Sequence, residues 1–307
     1  MIRALVIALA LVLGTHAVSF ATAHGRRFES WDDAVNALVS AVRAGDRTAL
    51  VAILGRDARS LVSSGDDVQD RQRFQQFVSA YDEKHWLEGG GGRVRLYVGE
   101  DDFPFPIPLV PDGPWWRWDA AAGRDEMLGR RIGRNELNAL QACLAYVDAQ
   151  REYFAEDRDG NDLLEYAQRI RSRPGMRDGL YWETRPGAPP SPLGPLVAQA
   201  RSEGYRAREA GPAPYHGYLF RILTAQGPDA ADGAYDYIVN GRMIGGFALV
   251  AFPARYGDSG VMTFIVSHDG VIYQKNLGAD TARVAGAMTS FNPDRSWDRI
   301  TFTTAQR

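Results

Sequence analysis

The middle of the chain raises the first chemical question. Asp157-Arg158-Asp159-Gly160-Asn161-Asp162 places side-chain oxygens at the first, third and fifth positions of an EF-hand-like loop, with Leu164 at the eighth and Glu165 at the ninth. Calcium takes clusters of hard oxygen donors of this kind, so Asp157, Asp159, Asn161 and Glu165 form a candidate calcium set. Two positions depart from the pattern: Asp162 stands where the sharp-turn glycine belongs, and Gln168 where a bidentate glutamate closes such sites. The same letters have a second reading. Asp162 and Glu165 can make a capping-box-like start to a short helix through Tyr166 and Ile170, with the other acids solvated.

Three further constellations could act on a ligand. Glu100, Asp101 and Asp102 form an acidic cluster, and neighbouring carboxylates can divide general-acid and general-base work. With His85 they are the polar groups that a hydrolase pocket in the N-terminal half would use. Trp116 and Trp118 lie two apart and share one strand face, opposite Trp115, where they either stack on a sugar ring or a partner's surface or pack a core. Gly257-Asp258-Ser259-Gly260 carries the letters around the nucleophile of chymotrypsin-like proteases. That chemistry needs a histidine base and a buried aspartate, and His85, His216 and His268 have no matching context, while the tetrapeptide falls where two strands need a turn. The same three histidines are far apart and no HExxH or cysteine pair exists, so no zinc motif is present. Cys143, on the apolar stripe of a helix, reads as an inert buried thiol. No catalytic motif is complete, and the sequence names no reaction.

The elements that must position these residues divide in two. Ser30 caps a helix whose apolar residues Trp31, Ala34, Val35, Leu38, Val39 and Val42 recur at helical spacing, and Gly45 sits at its left-handed end. Asp46 opens a second helix to Leu54, and a third from about Val68 to Lys84 puts Phe74, Phe77, Val78 and Tyr81 on one face. Gly89 to Gly92 reads as a flexible break before a strand from Val94 to Val98. In Phe103-Pro104-Phe105-Pro106-Ile107-Pro108-Leu109 the prolines alternate, so their missing N–H groups lie along one lateral side and predict an edge strand. Pro111-Asp112-Gly113-Pro114 turns the chain so that Trp115 to Trp118 runs back beside it.

From Arg124 to Phe154 the pattern is helical, with Leu137, Leu140, Cys143, Leu144 and Val147 as a stripe. After a second short helix the chain is proline- and glycine-rich from Pro174 to Pro214, with helical turns expected near Leu196 to Ser202. Strands follow at Leu219–Leu223, Tyr235–Val239, Ile244–Phe252, Val261–Val266 and Val271–Lys275, with Asn240-Gly241 and Asp269-Gly270 as hairpin signals. The expected class is α+β: an N-terminal helical and curved-sheet domain over 24–123, a C-terminal domain of a long helix on an antiparallel meander over 124–300, and a tail over 301–307.

Residues 1–23 read as a cleavable leader: Arg3 gives a basic start, Ala4 to Leu13 an apolar run, and Ala21-Thr22-Ala23 a small-x-small cleavage pattern. The apolar run is shorter than the roughly 20 residues a membrane helix needs, so no membrane span is expected after cleavage. A periplasmic or secreted protein is the expectation. The single cysteine among 307 residues leaves no intramolecular disulfide to form. Formal charge is -3, and the densest basic group, Arg130, Arg131 and Arg134, is too small for the patch that nucleic-acid binding requires.

Four segments carry a resemblance. Ile132-Gly133-Arg134-Asn135-Glu136-Leu137, Tyr215-His216-Gly217-Tyr218, Phe220 to Gly227 and Val239 to Leu249 are similar to a bacterial family catalogued as domain of unknown function 2950, and Asp101 to Pro108 extends the likeness over most of the chain. That family implies no activity. Leu140 to Phe154, followed by strands ending in Phe264 to Tyr273, resembles the head domain of type IV pilins and pseudopilins, which implies a long helix on an antiparallel sheet. The N-terminal part resembles the cone-shaped nuclear-transport-factor-2-like (NTF2-like) fold, a frequent host of small-ligand pockets.

Two functions are therefore expected: a non-catalytic envelope protein that binds a partner or assembly, or a small-ligand binder or hydrolase with a pocket in the N-terminal domain. The partner would be an envelope protein in the first case and a small ligand in the second. No cofactor is expected beyond calcium at the Asp157 loop.

Overall fold

The computed structural model describes residues 25–158, 160–206 and 213–301. The leader, the tail beyond 301 and Asp159 lie outside them.

Local capping sets the N-terminal helices. Ser30 Oγ accepts from Asp33 N at 3.1 Å and starts α1 (Trp31–Ala44); Gly45, at φ 65°, ends it while Asp46 N returns to Ala41 O at 2.9 Å. Asp46 then caps α2 (Arg47–Leu54), the short α3 (Arg59–Val62) follows, and Asp66 caps α4 (Asp67–Glu83) through Val68 N and Gln69 N. These helices pack on one antiparallel sheet of β1 (His85–Gly90), β2 (Arg93–Val98), β4 (Leu109–Asp112) and β5 (Trp115–Trp118), with β3 (Phe103–Pro104) also on β2. Leu38, Leu50, Leu96, Ile107 and Leu109 fill the space between.

Two expectations change here. Gly89 and Gly90 are not a break: they pair with Val94 and Arg93 as the end of β1, and only Gly91 and Gly92, at φ 59° and 74°, make the turn. A two-residue hairpin turn with both φ positive is the use glycine is suited to. The proline segment is an edge for half its length. Phe105 N donates to Leu96 O at 2.7 Å, so the proline nitrogens face away from β2 as the alternation predicts. From Leu109 onward that outer side is covered by β5, with Leu109 opposite Trp118, so β4 is an interior strand.

The long helix α5 spans Ala120–Phe154. Its first turns, with Met127 and Leu128, pack on the N-terminal core, and Ala139, Cys143, Tyr146 and Val147 on the C-terminal one, so the two cores meet along one helix. Leu137, expected on the apolar stripe, is 55% exposed. At that turn the buried face passes through Asn135 and Ala139, and a residue two positions away points about 200° around the helix.

No helix follows at Tyr166 to Ile170. Gln150 on α5 grips Ala167 on both sides, Oε1 accepting from Ala167 N and Nε2 donating to Ala167 O, each at 2.8 Å, while Tyr166 N bonds Met243 O. These backbone groups are spent on distant partners and cannot form a helical ladder. The helical turns expected near Leu196 are α6 (Gly194–Ser202).

The C-terminal sheet runs in the order β15 (Asp298–Arg299), β13 (Ile272–Asn276), β12 (Met262–Ser267), β11 (Ala248–Pro253) and β6 (Tyr218–Leu223), all antiparallel. Small pairs join β7 (Ala225–Gln226), β8 (Tyr235–Asp236) and β14 (Ser290–Phe291), and β9 (Ile238–Val239) with β10 (Arg242–Met243) across Asn240-Gly241. The strand expected to begin at Ile244 begins at Ala248, and α7 (Thr281–Ala287) has no counterpart in the sequence reading. Successive residues of a strand point to opposite faces, and every residue of β11 is buried. Both faces of the sheet centre are therefore covered. The class is α+β, and among the described residues no helix is long and apolar enough to cross a membrane.

Candidate functional site

Helix α4 presents Asp70, Arg73, Phe74 and Phe77 to the N-terminal core, a spacing that puts all four on one face. Opposite them α5 contributes Met127, Arg130, Arg131 and Arg134, and Phe103, Phe105 and Ile107 close the side. Together with Leu38, Val42, Leu50, Leu54, Leu61 and Val62 they enclose a pocket of about 250 Å³. Its wall is mostly aliphatic and aromatic, and its polar groups converge from two helices, the usual makeup of a small-molecule site.

Those polar groups are unevenly satisfied. Asp70 accepts from Ser64 Oγ at 2.8 Å and from Ser64 N, and meets Arg47 Nη2 at 3.2 Å. Burial raises its pKa above the ordinary carboxylate value, against the opposing Ser64 bonds and the Arg131 and Arg47 charges. Arg131, 3% exposed, donates to Ser60 O at 2.6 Å and Leu61 O at 2.7 Å, and its Nε has no acceptor. Among the described residues Arg73 forms no direct ion pair, and its buried Nη2 has no hydrogen-bond partner. Burial, then the Arg131 and Arg134 charges, push the Arg73 guanidinium down to about 10. It is still a cation at neutral pH. At the mouth, Arg130 lies 4.8 Å from the centre of the exposed Phe103 ring and pairs with Glu126.

The pocket helix is anchored by residues far along the chain. Gln69 Nε2 donates to Asn135 Oδ1 at 2.7 Å, and Asn135 Nδ2 to Ser259 O at 2.8 Å. Asp66, the cap of α4, accepts from Tyr205 Oη at 2.8 Å and Gly217 N at 3.0 Å. Gly217 and Ser259 are in such close contact with Asn135 that a side chain at position 217 would collide with both.

A second cavity of about 450 Å³ lies between α5, α6 and β6. It is larger, but its main polar groups are already committed: Tyr146 Oη donates to Ala248 O, Tyr205 Oη to Asp66, and Arg201 pairs with Glu183 at 2.9 Å. The N-terminal pocket is the stronger candidate because two guanidinium nitrogens in its wall, Arg73 Nη2 and Arg131 Nε, lack acceptors, and unpaired buried donors are costly.

The residues singled out from sequence mostly fall elsewhere. Asp102 pairs with Lys84 at 2.9 Å and accepts from Trp86 Nε1 at 2.7 Å, which together hold its carboxyl below the usual range. Asp101 is exposed, and His85 stacks on Tyr81 with Nδ1 beside Tyr81 O. None of Asp101, Asp102 and His85 lines the pocket, whose polar groups are different ones. Trp118 is fully buried and donates to Ala34 O, while Trp116 stacks on Trp31 at 5.6 Å, so the two do not form one open stacking face. Ser259 Oγ closes its own turn, accepting from Arg255 N and donating to Arg255 O. Cys143 is buried, and desolvation pushes its thiol up to about 12.

In the calcium candidate, Asp157 accepts from Gly160 N, Asn161 N and Asp162 N, and Glu165 Oε1 takes Arg242 at 2.7 Å and Asn161 Nδ2 at 3.1 Å. Asp159 lies outside the described residues. The oxygens of Asp157 and Glu165 thus serve the loop's own backbone and an arginine. The alternative capping role also fails, since no helix starts there. Among the described residues no group of three or more His, Cys, Asp or Glu side chains could hold a metal.

Sequence reasoning missed Asp70, Arg73, Arg131 and Arg134 as site residues. The signal was present: Asp70 and Arg73 share a face with Phe74 and Phe77, and charges on an apolar stripe are the exception in a simple core. The comparisons add a family. A family model described as Protein of unknown function (DUF2950) matches residues 25–300. No curated protein and no solved structure matches the chain.

Proposed function

We propose that this chain, which belongs to the DUF2950 family, is an exported small-ligand-binding protein whose N-terminal domain holds the ligand. The carrying observation is the pocket of about 250 Å³ between α1–α4, α5 and the proline segment, apolar but with guanidinium donors left without acceptors. Helices laid across an antiparallel sheet around such a pocket support the NTF2-like reading of this domain.

The assembly reading has less to stand on. The long α5 on an antiparallel sheet fits a pilin-head-like arrangement, but β11 is buried at every position, so the centre of that sheet offers no open face to a partner. Export rests on the leader, and the mature protein is expected to begin at His24, which N-terminal sequencing would test.

Calorimetric titration of the mature chain with octanol and octanoate tests the function. Saturable binding of one or both, abolished by the pocket-filling Met127→Trp in a variant with unchanged circular dichroism, supports it. Absence of binding by both, or binding that Met127→Trp leaves intact, overturns it.

A further inference from the structure

The geometry points to a compact monocarboxylate as the ligand, its carboxylate on the Arg73 guanidinium and its apolar body between Phe74, Phe77 and Leu54. This deepens the small-ligand reading above and rests on it.

The argument starts from charge. The pocket is lined by four guanidinium groups, Arg73, Arg130, Arg131 and Arg134, and by one carboxylate, Asp70. That carboxylate is spent on Ser64 and Arg47, and Arg130 has Glu126. Arg131 is held by two backbone carbonyls, and the Asp70 and Asp258 charges act on it against its burial. Among the described residues neither Arg73 nor Arg134 makes a direct ion pair, and the Asp70 and Asp66 charges only partly offset burial and the neighbouring cations at Arg73. Burial disfavours the Arg73 charge first, and the Arg131 and Arg134 charges add repulsion. An anion among the guanidinium groups would relieve that repulsion.

The donors favour a carboxylate. Arg73 Nη2 and Arg131 Nε are both buried and without acceptors. Guanidinium groups bind planar carboxylates through paired N–H donors, and such charge-assisted bonds are the strong ones. The rest of the wall is apolar, so a ligand of sugar or peptide type would leave its own polar groups unpaired there. Size sets the scale: 250 Å³ is room for about eight water-sized groups, which suits a short acyl or single-ring body and not a long chain.

The test uses octanoate and octanol as paired probes on the full mature chain and on Arg73→Gln, with Met127→Trp as the pocket control. The expected result is saturable octanoate binding, weakened about 10- to 100-fold in Arg73→Gln and lost in Met127→Trp, with octanol much weaker throughout. Circular dichroism and the melting temperature of Arg73→Gln are measured alongside, so that a loss of binding is not put down to misfolding. Equal binding of octanol and octanoate, with Arg73→Gln unchanged, overturns the carboxylate while leaving the small-ligand function standing. Octanoate binding that Met127→Trp does not affect overturns the placement, and failure of both probes overturns the function itself.

Discussion

The Tyr205 hydroxyl donates to Asp66 Oδ2 at 2.8 Å, joining the irregular segment after α6 to the residue that caps the pocket helix α4. Asp66 also accepts from Gly217 N at 3.0 Å and, through its other oxygen, from Val68 N and Gln69 N. Burial and the Asp66 charge drive the Tyr205 pKa well above its ordinary value, so the phenol remains a donor at any physiological pH. One carboxylate thus starts a helix of the N-terminal core and ties it to the segments around Tyr205 and Gly217. Tyr205→Phe should lower stability in urea by about 1.5–3 kcal/mol, the range for a hydrogen bond to a charged group. Asp66→Ala should cost more, since it removes the helix cap and strands both donors. Equal stability of all three proteins would contradict this role.

Asp70 gives a pH signature. Its folded-state pKa is raised above the ordinary 3.8, chiefly by burial, so the native state holds the proton more tightly than the unfolded chain. Stability must then fall as pH rises from 3.8 through the raised value, and level off above it. Asp70→Asn cannot titrate and lacks this slope. The difference in unfolding free energy, natural protein minus Asp70→Asn, should decline over that window. A difference that climbs with pH would show that the Ser64 bonds and the arginine charges outweigh burial.

Cys143 should be silent in the native protein. It is buried with its thiol pushed up to about 12, and thiolate is the reactive form. Iodoacetamide at neutral pH is expected to leave it unmodified until denaturant is added. Rapid labelling of the folded chain would place it on an accessible surface.

The Asp157 loop is expected to be indifferent to calcium. Asp157 already accepts from three backbone N–H groups and Glu165 pairs with Arg242, so binding a cation would mean breaking these bonds. The melting midpoint should be the same in calcium and in chelator. A site half-saturated at one hundredth of the added calcium would add about 2.7 kcal/mol, an effect easily seen.

What the sequence revealed was local. Ser30, Asp46 and Gly45 act within a few residues of themselves, and the caps they make are those their types predict. Asn240 and Gly241, at φ 50° and 79°, form the expected hairpin turn. What it concealed depended on distant partners. Tyr166 to Ile170 has a helical pattern, but Gln150 and Met243 take its backbone groups first. Trp116 and Trp118 alternate as a strand should, yet only the packing of α1 decides that Trp118 is core. The pocket is the extreme case: Arg73 and Arg131 lie far apart in sequence, and nothing in either helix alone shows that their charges meet.

The central claim is that the N-terminal pocket holds a small molecule, and the most direct check is native mass spectrometry of the protein recovered from the cells that make it. The natural chain should carry a small-molecule adduct in one-to-one ratio, and Met127→Trp, folded alike, should fly at its bare mass. An adduct that survives in Met127→Trp, or a natural chain that is bare even from its own source, would contradict the account.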